Sequence, residues 1–139
     1  SSWTMLIAGC PADSLPTNLV RALPEGAELL GRTDPQKFFG RIDLLVHPAN
    51  DEPFGMVMSE ALTCGVPVVF SDQCGAADHL RTEGLRILPI GAPVMDWARA
   101  CAELAGKAFS TPPSRTWSDV AAEHEELYRL VLGRQGTPD

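Results

Sequence analysis

Short apolar blocks alternate with helical patterns through the first two thirds of the sequence. The strand-like blocks are WTMLIAG (3–9), AELLG (27–31), IDLLVHP (42–48), PVVFSD (67–72) and LRILPI (85–90). Helical patterns separate them, at 14–23, 33–40, 54–64 and 75–82. Near-continuous apolar strands that alternate with helices are typical of a parallel sheet covered on both faces. The alternation therefore predicts an α/β fold, a Rossmann-like parallel sheet with helices on both faces.

After the fifth strand the pattern becomes purely helical, which predicts extra C-terminal helices. The segment 92–109 places Met95, Ala98 and Ala102 on one helix face, and a polar, Pro-rich link follows at 110–116. The segment 117–133 predicts a last helix. The residues of that helix expected to pack inward are Val120, Leu127, Leu130 and Val131. Trp97 and Trp117 are predicted to be packing anchors.

Size and charge limit the classes of partner. With 139 residues, 45% of them hydrophobic and 21% charged, the chain has the composition of one globular domain. A net charge of −7 argues against non-specific binding to nucleic acid or to an anionic membrane. It does not exclude an anionic small ligand, which helix amides can hold. Four cysteines without metal-ligand spacing predict buried free thiols in a reducing cytosol and no metal site.

The stretch HPANDEPFGMVMSEALTCGVPVV (47–69) follows the third predicted strand. In an open parallel sheet, ligands bind beyond the carboxyl ends of the strands. The loop SDQCG (71–75) follows the fourth strand and is expected to open onto the same edge. The residues in these two loops are therefore the first candidates for a binding site.

The local sequence predicts an anion site at the start of the helix within this stretch. Pro53 fixes φ, and Gly55 lets a ligand or another backbone approach closely. The amides of Gly55, Met56 and Val57 are predicted to be unpaired at the positive end of the helix dipole. A phosphate or pyrophosphate is the natural partner of such amides.

Two glutamates flank this helix start, and each has two interpretations. Glu52 would repel a phosphate, so sugar hydroxyls are its predicted partners, and Glu60 is predicted to bind a second polyol such as a ribose. Alternatively, Glu52 is a pre-helix charge favoured by the dipole and Glu60 is a solvated helix residue. The apolar neighbours of Glu60 predict a poorly solvated carboxylate that needs a partner. Together these features describe a nucleotide-sugar site.

The segment HPANDEPFGMVMSEALTCGVPVVFSD closely resembles the signature of the group-1 family of retaining, nucleotide-sugar-dependent glycosyltransferases with GT-B architecture. In that family a glutamate, a Phe-Gly pair, a second glutamate and a small-residue strand follow a strand-ending proline. WTMLIAG, AELLGR, FFGRIDLLVHP and the terminal helix fall in the family's order, so the resemblance covers nearly the whole chain. CGAADH and HPA look like the bacterial lipopolysaccharide-core hexosyltransferases.

The resemblance implies a role for each matching residue. Glu52 is expected in the catalytic centre, holding donor-sugar hydroxyls. The backbones of Phe54 and Gly55 are expected against the sugar, and the amides of Met56 and Val57 against the diphosphate. Glu60 is expected to bind the ribose. Arg32 and Thr33 fall where the family places the nucleobase.

The resemblance also implies that residues 1–139 are a partial nucleotide-sugar-binding domain. The amino-terminal acceptor domain and the first strand–helix unit, with its phosphate-neutralising Arg and Lys, are expected to be absent. The fragment is accordingly expected to be inactive and to bind donor weakly, because the leaving diphosphate and the acceptor are not held. Its exposed sheet edge predicts self-association.

The parent protein is expected to be a hexosyltransferase that needs no metal or other cofactor. Its expected partners are a nucleotide-sugar donor and a bacterial surface glycan or glycolipid, with no nucleic acid. It is expected in the cytoplasm, in peripheral association with the inner face of the membrane.

Two other functions are compatible with the sequence. A flavodoxin-like regulatory module would need paired acids after the first strand, where only Asp13 occurs. A nucleotide-sugar epimerase of GT-B-like fold would use acid–base residues from the absent half. His47 is predicted to be a packed or hydrogen-bonded residue, with a donor or acceptor contact as the alternative.

Overall fold

The computed structural model describes residues 3–111 and 116–133, and part of the predicted Pro-rich link lies outside these residues. The described residues form five short strands and five α-helices, with 3-10 turns at Ala12–Ser14 and Gly75–Asp78. Helices follow the first three strands, only the second 3-10 turn separates β4 from β5, and α4 and α5 come last. The strands are β1 (Leu6–Ala8), β2 (Glu28–Gly31), β3 (Leu45–His47), β4 (Val68–Ser71) and β5 (Leu85–Leu88). The helices are α1 (Thr17–Ala22), α2 (Pro35–Phe39), α3 (Met56–Thr63), α4 (Val94–Leu104) and α5 (Trp117–Gly133).

All the strand pairs are parallel, which confirms the predicted α/β fold class. The pairs form two hydrogen-bonded sets, β1–β2 and β3–β4–β5, and not one continuous ladder. The β1–β2 pair has no fully buried residue, whereas all four residues of β4 are buried. The three-stranded sheet is therefore the part of the molecule around which the core forms.

Strand β4 is covered on both faces because its side chains alternate in direction. Val68 and Phe70 belong to one core cluster, which includes Met58, Ala61 and Leu62 of α3. Val69 points to the other face and packs with Ala100 and Leu104 of α4. This two-residue period places α3 and α4 on opposite sides of the sheet, as a Rossmann-like layer arrangement requires.

The inward face of α4 differs from the apolar stripe of the sequence. Met95 is 70% exposed, and Ala98 and Ala102 are exposed as well. The buried face is instead formed by Ala100 and Leu104, together with the partly buried Trp97 and Cys101. Trp97 is thus the packing anchor that the sequence predicted.

Helix α5 contradicts the prediction of inward packing. None of its residues is buried, and Leu127, Leu130 and Val131 are each more than half exposed. Trp117, the other predicted anchor, is 87% exposed. Of the four predicted residues only Val120 is half-buried, so the described part of the chain leaves most of the predicted face uncovered.

All four cysteines lie among the described residues and carry free thiols. Cys74 is buried, Cys10 and Cys101 are half-buried and Cys64 is exposed, so the predicted burial is right only for Cys74. Burial raises the pKa of the Cys101 thiol above its usual value. Among the described residues, no helix has the length and apolarity needed to cross a membrane.

Candidate functional site at the start of helix α3

The loop after β3 is held in place by the loop after β4. The amide of Glu52 donates to the carbonyl of Gln73 at 3.2 Å, and the amide of Gly75 donates back to the carbonyl of Glu52 at 3.0 Å. The amide of Ala76 donates to the carbonyl of Phe54 at 2.9 Å. These bonds form a small parallel bridge between Glu52 and Cys74. The two loops that the sequence assigned to one edge of the sheet therefore meet there.

Ser71 holds the loop after β3 through a side-chain hydrogen bond. It is the last residue of β4 and is fully buried, and its Oγ donates to the carbonyl of Ala49 at 2.5 Å. Buried polar groups are costly without a partner, so this bond satisfies the hydroxyl and the loop carbonyl together. The end of β4 thereby fixes the segment that leads to Glu52.

Gly75 allows the two loops to come this close. A Cβ at this position would lie 2.2 Å from the carbonyl oxygen of Pro53 and 3.3 Å from Cα of Phe54. Both of these atoms belong to the backbone, which cannot move aside as a side chain can. Only glycine therefore fits between the two loops without displacing the Pro53–Phe54 backbone.

Helix α3 begins directly after this crossing. Gly55 is its N-cap and has φ 83°, in the left-handed region that favours glycine. No side chain of residues 3–111 or 116–133 caps this helix, and the amide of Met58 donates to the carbonyl of Gly55 at 3.2 Å. Among the described residues, the amides of Gly55, Met56 and Val57 donate no hydrogen bond. The helix start is thus where the sequence predicted it, with the three predicted amides unpaired.

The carboxylate of Glu52 lies beside this helix start. Its side chain is 34% exposed, and its Cγ would be 3.1 Å from a Cβ built on Gly55. Its only ion-pair neighbour among the described residues is His47, with 3.9 Å between Glu52 Oε2 and His47 Nε2. An ionised carboxylate accepts hydrogen bonds and donates none, so Glu52 is suited to a ligand that carries hydroxyl groups.

Glu60 lies on the outward face of α3. It is exposed, so the expected poorly solvated environment is wrong. The reason is helical geometry: Met58, Ala61 and Leu62 form the buried face, whereas Glu60 lies one turn after the exposed Met56. The Glu60 carboxylate has no hydrogen-bond or ion-pair partner in the described part of the chain. It is accessible to a ligand that extends from the helix start.

Arg32 and Thr33 are not brought into contact with this site. They follow β2, which pairs with β1 in the two-stranded set, and both are exposed. Within residues 3–111 and 116–133, neither side chain makes a hydrogen bond or an ion pair. Their role at a nucleobase therefore stays a prediction from the resemblance.

Sequence reasoning missed several contacts that shape the site. The ring of His79 stacks on Phe54, with 6.2 Å between centroids and 29° between planes, and Phe54 stays 45% exposed. Ser71 and Gly75 belong to the loop SDQCG after β4, but nothing in their spacing indicated which backbone segment they contact. His47 is packed, as one of its two expected forms has it, but its buried Nε2 atom has no hydrogen-bond partner among the described residues.

Two further observations bear on the chemistry. Among the described residues, no group of three or more His, Cys, Asp or Glu side chains is placed to hold a metal ion. A cavity of about 200 Å³ lies near the amino ends of β4 and β5, opposite the candidate site. Residues lining this amino-end cavity include Pro67, Glu83, Gly84, Arg86 and Lys107.

Comparison with known proteins identifies the family. The family model described as "Glycosyl transferases group 1" matches residues 1–107, which is more than half of the chain. The chain belongs to this family. The match includes every residue of the candidate site, from Arg32 and Thr33 to the loop after β4.

Curated relatives carry the names of glycosyltransferases. The lipopolysaccharide glucosyltransferase WaaG of Escherichia coli is 33% identical over 104 residues, which are 72% of this chain and 27% of WaaG. The D-inositol 3-phosphate glycosyltransferase of Salinispora tropica is 32% identical over 116 residues, 73% of this chain and 23% of that protein. The Mycobacterium bovis protein of the same name is 32% identical over 135 residues, 89% of this chain and 28% of its own length. The chain thus spans about a quarter of the length of these relatives.

Proposed function

We propose that this chain is the nucleotide-sugar donor-binding part of a retaining glycosyltransferase. The observation that carries the proposal is the start of α3, where a left-handed Gly55 is followed by unpaired amides and flanked by the Glu52 carboxylate. Membership of the glycosyl transferases group 1 family supports the same function. The alternative of a regulatory module has no comparable support.

Each part of the donor is assigned to the protein group whose chemistry suits it. The amides of Met56 and Val57 would hold the diphosphate, because a helix start attracts anions without a positively charged side chain. Glu52 would accept hydrogen bonds from the sugar hydroxyls, with the backbones of Phe54 and Gly55 against the ring. Glu60, one turn along the exposed face of α3, would bind the ribose. Arg32 and Thr33 would contact the base.

The parent protein would transfer a hexose to a bacterial surface glycan or glycolipid on the cytoplasmic side of the membrane. The name of WaaG supports a lipopolysaccharide acceptor. The name of the other relatives points to inositol 3-phosphate, so this acceptor is the second candidate. No metal or other cofactor is proposed, because helix amides replace metal-bound charge at the diphosphate.

Activity would require groups that a longer parent supplies. The proposal places no cationic side chain at the diphosphate, so the isolated chain would bind donor weakly and turn none over. Incubation of the isolated chain with each nucleotide sugar would give no free nucleotide, and measurable hydrolysis or transfer would contradict this proposal.

Ligand-observed NMR suits weak binding and tests the donor site directly. UDP-, GDP- and ADP-hexoses would be screened against the wild-type chain, Glu60→Ala and, as a matched control, Glu126→Ala on the exposed face of α5. We expect one nucleotide class to bind, Glu60→Ala to bind it less, and Glu126→Ala to match the wild type. Equal binding by all three proteins would remove Glu60 from the ribose site. Absence of binding to any nucleotide sugar would contradict the proposed function.

A parallel assay on the parent protein separates transfer from epimerisation. Without acceptor, an epimerase would change the configuration of the donor sugar, whereas a transferase would leave it unchanged or hydrolyse it slowly. We expect no epimerised sugar.

A further inference from the structure

The ring of His47 holds an unexplained buried nitrogen at the edge of the candidate site. Its Nε2 atom is buried and has no hydrogen-bond partner among the described residues, although the side chain as a whole is 30% exposed. Buried polar atoms in folded proteins nearly always have a partner. The unpartnered Nε2 atom of His47 therefore indicates that a hydrogen-bond partner is missing.

The Glu52 carboxylate is placed to be that group. Its Oε2 atom lies 3.9 Å from His47 Nε2, which is beyond hydrogen-bond distance by about 1 Å. No lysine or arginine of the described chain forms an ion pair with Glu52. His47 is thus the one described basic side chain within 4 Å of this carboxylate.

The backbones of the two residues are fixed, so only side-chain rotation can close the gap. His47 is the last residue of β3 and pairs with Phe70 of β4. Glu52 is held through its own amide and carbonyl by Gln73 and Gly75. Rotation of the Glu52 side chain between neighbouring torsions moves its oxygens by more than the missing distance.

We propose that His47 is a positioning residue that orients the Glu52 carboxylate toward the donor sugar. In the bound state Nε2–H of His47 donates to one carboxylate oxygen, and the other oxygen accepts from a sugar hydroxyl. A carboxylate has enough lone pairs for both bonds. This inference rests on the proposed function, since it assigns Glu52 a sugar ligand.

The proposal predicts an effect on the sugar half of the donor alone. His47 touches neither the helix amides nor Glu60 through any hydrogen bond in the described residues, so binding of a free nucleoside diphosphate should not depend on it. If His47 had only a structural role, its replacement would instead weaken the binding of the diphosphate and of the nucleotide sugar together.

Three variants of this chain test the inference. His47→Leu removes the donor, His47→Gln keeps an N–H donor near the Nε2 position, and His124→Leu on the exposed helix α5 is the matched control. Affinities for the nucleoside diphosphate and for its hexose conjugate would be measured by titration, with circular dichroism as the check of folding.

We expect His47→Leu to weaken binding of the nucleotide hexose by about tenfold or more, since tenfold is near the lower end for loss of a hydrogen bond to a charged group, and to leave diphosphate binding unchanged. His47→Gln should recover most of this loss, and His124→Leu should behave as the wild type. Equal weakening of both ligands by His47→Leu, no weakening at all, or no recovery by His47→Gln would overturn the inference.

A measurement on the wild-type chain covers the case in which His47→Leu fails to fold. The imidazole nitrogen resonances of His47 would be followed by NMR during both titrations. The nucleotide hexose should shift the Nε2 resonance and the diphosphate should not, and the same response to both ligands would overturn the inference. Failure of the wild type to bind any nucleotide hexose would instead remove the proposed function, and this inference with it.

Discussion

Helices α3 and α5 are stabilised in opposite ways. Helix α3 has no side-chain cap, and its stability comes from Met58, Ala61 and Leu62, all fully buried against the core around β4. Helix α5 buries none of its residues and is closed locally, since Thr116 and Asp119 exchange hydrogen bonds at its start. An ion pair between Arg129 and Glu125 adds a further local contact at 3.3 Å.

The difference shows what leaves a helix start free for a ligand. At the start of α5 the side chain of Thr116 accepts from the amide of Asp119 at 3.2 Å. At the start of α3 the tertiary packing of the helix removes the need for a cap, so the amides after Gly55 stay unpaired. Burial of one face of a helix thus allows its end to serve a function.

The largest expected effect comes from removing the burial of α3. Leu62→Ala should lower the free energy of unfolding by about 2–5 kcal/mol, because Leu62 is fully buried and the cavity is only partly filled. Urea-induced unfolding followed by circular dichroism measures the change. A loss below about 1 kcal/mol would contradict the packing described for α3.

A smaller effect is expected where the two site loops cross. Gly75→Ala should cost about 1–3 kcal/mol, since its Cβ meets the carbonyl oxygen of Pro53. It should also weaken binding of the nucleotide sugar by displacing Glu52. Gly91→Ala is the control, because a Cβ there meets no atom within 4 Å. Unchanged stability and unchanged binding in Gly75→Ala would show that the two loops are not in contact as described.

Removal of the side-chain hydrogen bonds at the start of α5 should lower the stability of that helix alone, by an intermediate amount. Thr116→Ala removes the two bonds that the Thr116 hydroxyl makes with Asp119, keeps the bond from the Thr116 amide, and should cost about 1 kcal/mol of helix stability. Amide hydrogen exchange should become faster in the first turns of α5 and stay unchanged in α3. Faster exchange in both helices would show that they are coupled.

The smallest effect is expected on the exposed face of α5. Leu130 is 59% exposed, so Leu130→Ala should change the free energy of unfolding by less than about 0.5 kcal/mol. The same urea titration used for Leu62→Ala gives a direct comparison of the two leucines. A loss similar to that of Leu62→Ala would mean that α5 is covered in solution.

Local signals in the sequence predicted the parts of the fold that local physics determines. The Pro53–Gly55 turn and the start of α3 were predicted from residue type and spacing. Strand alternation likewise predicted the α/β class, because apolar strands need cover on both faces.

Contacts between distant segments could not be predicted in the same way. Ser71 and Ala49 are joined across 22 positions, and nothing in either residue type indicates the other. The inward face of α5 was predicted from spacing alone, but spacing shows where an apolar face lies and not whether anything covers it. Arg32 and Thr33 carry no local signal of their ligand, so their role depends on the family resemblance.

Amide chemical-shift mapping shows directly whether a donor binds at the start of α3. A nucleotide hexose would be titrated into the uniformly ¹⁵N-labelled chain, and backbone amide shifts would be followed for every assigned residue. The largest shifts should fall on Gly55, Met56 and Val57, with smaller ones at Glu52 and Glu60. Largest shifts around the amino-end cavity near Lys107, with none at the start of α3, would contradict it.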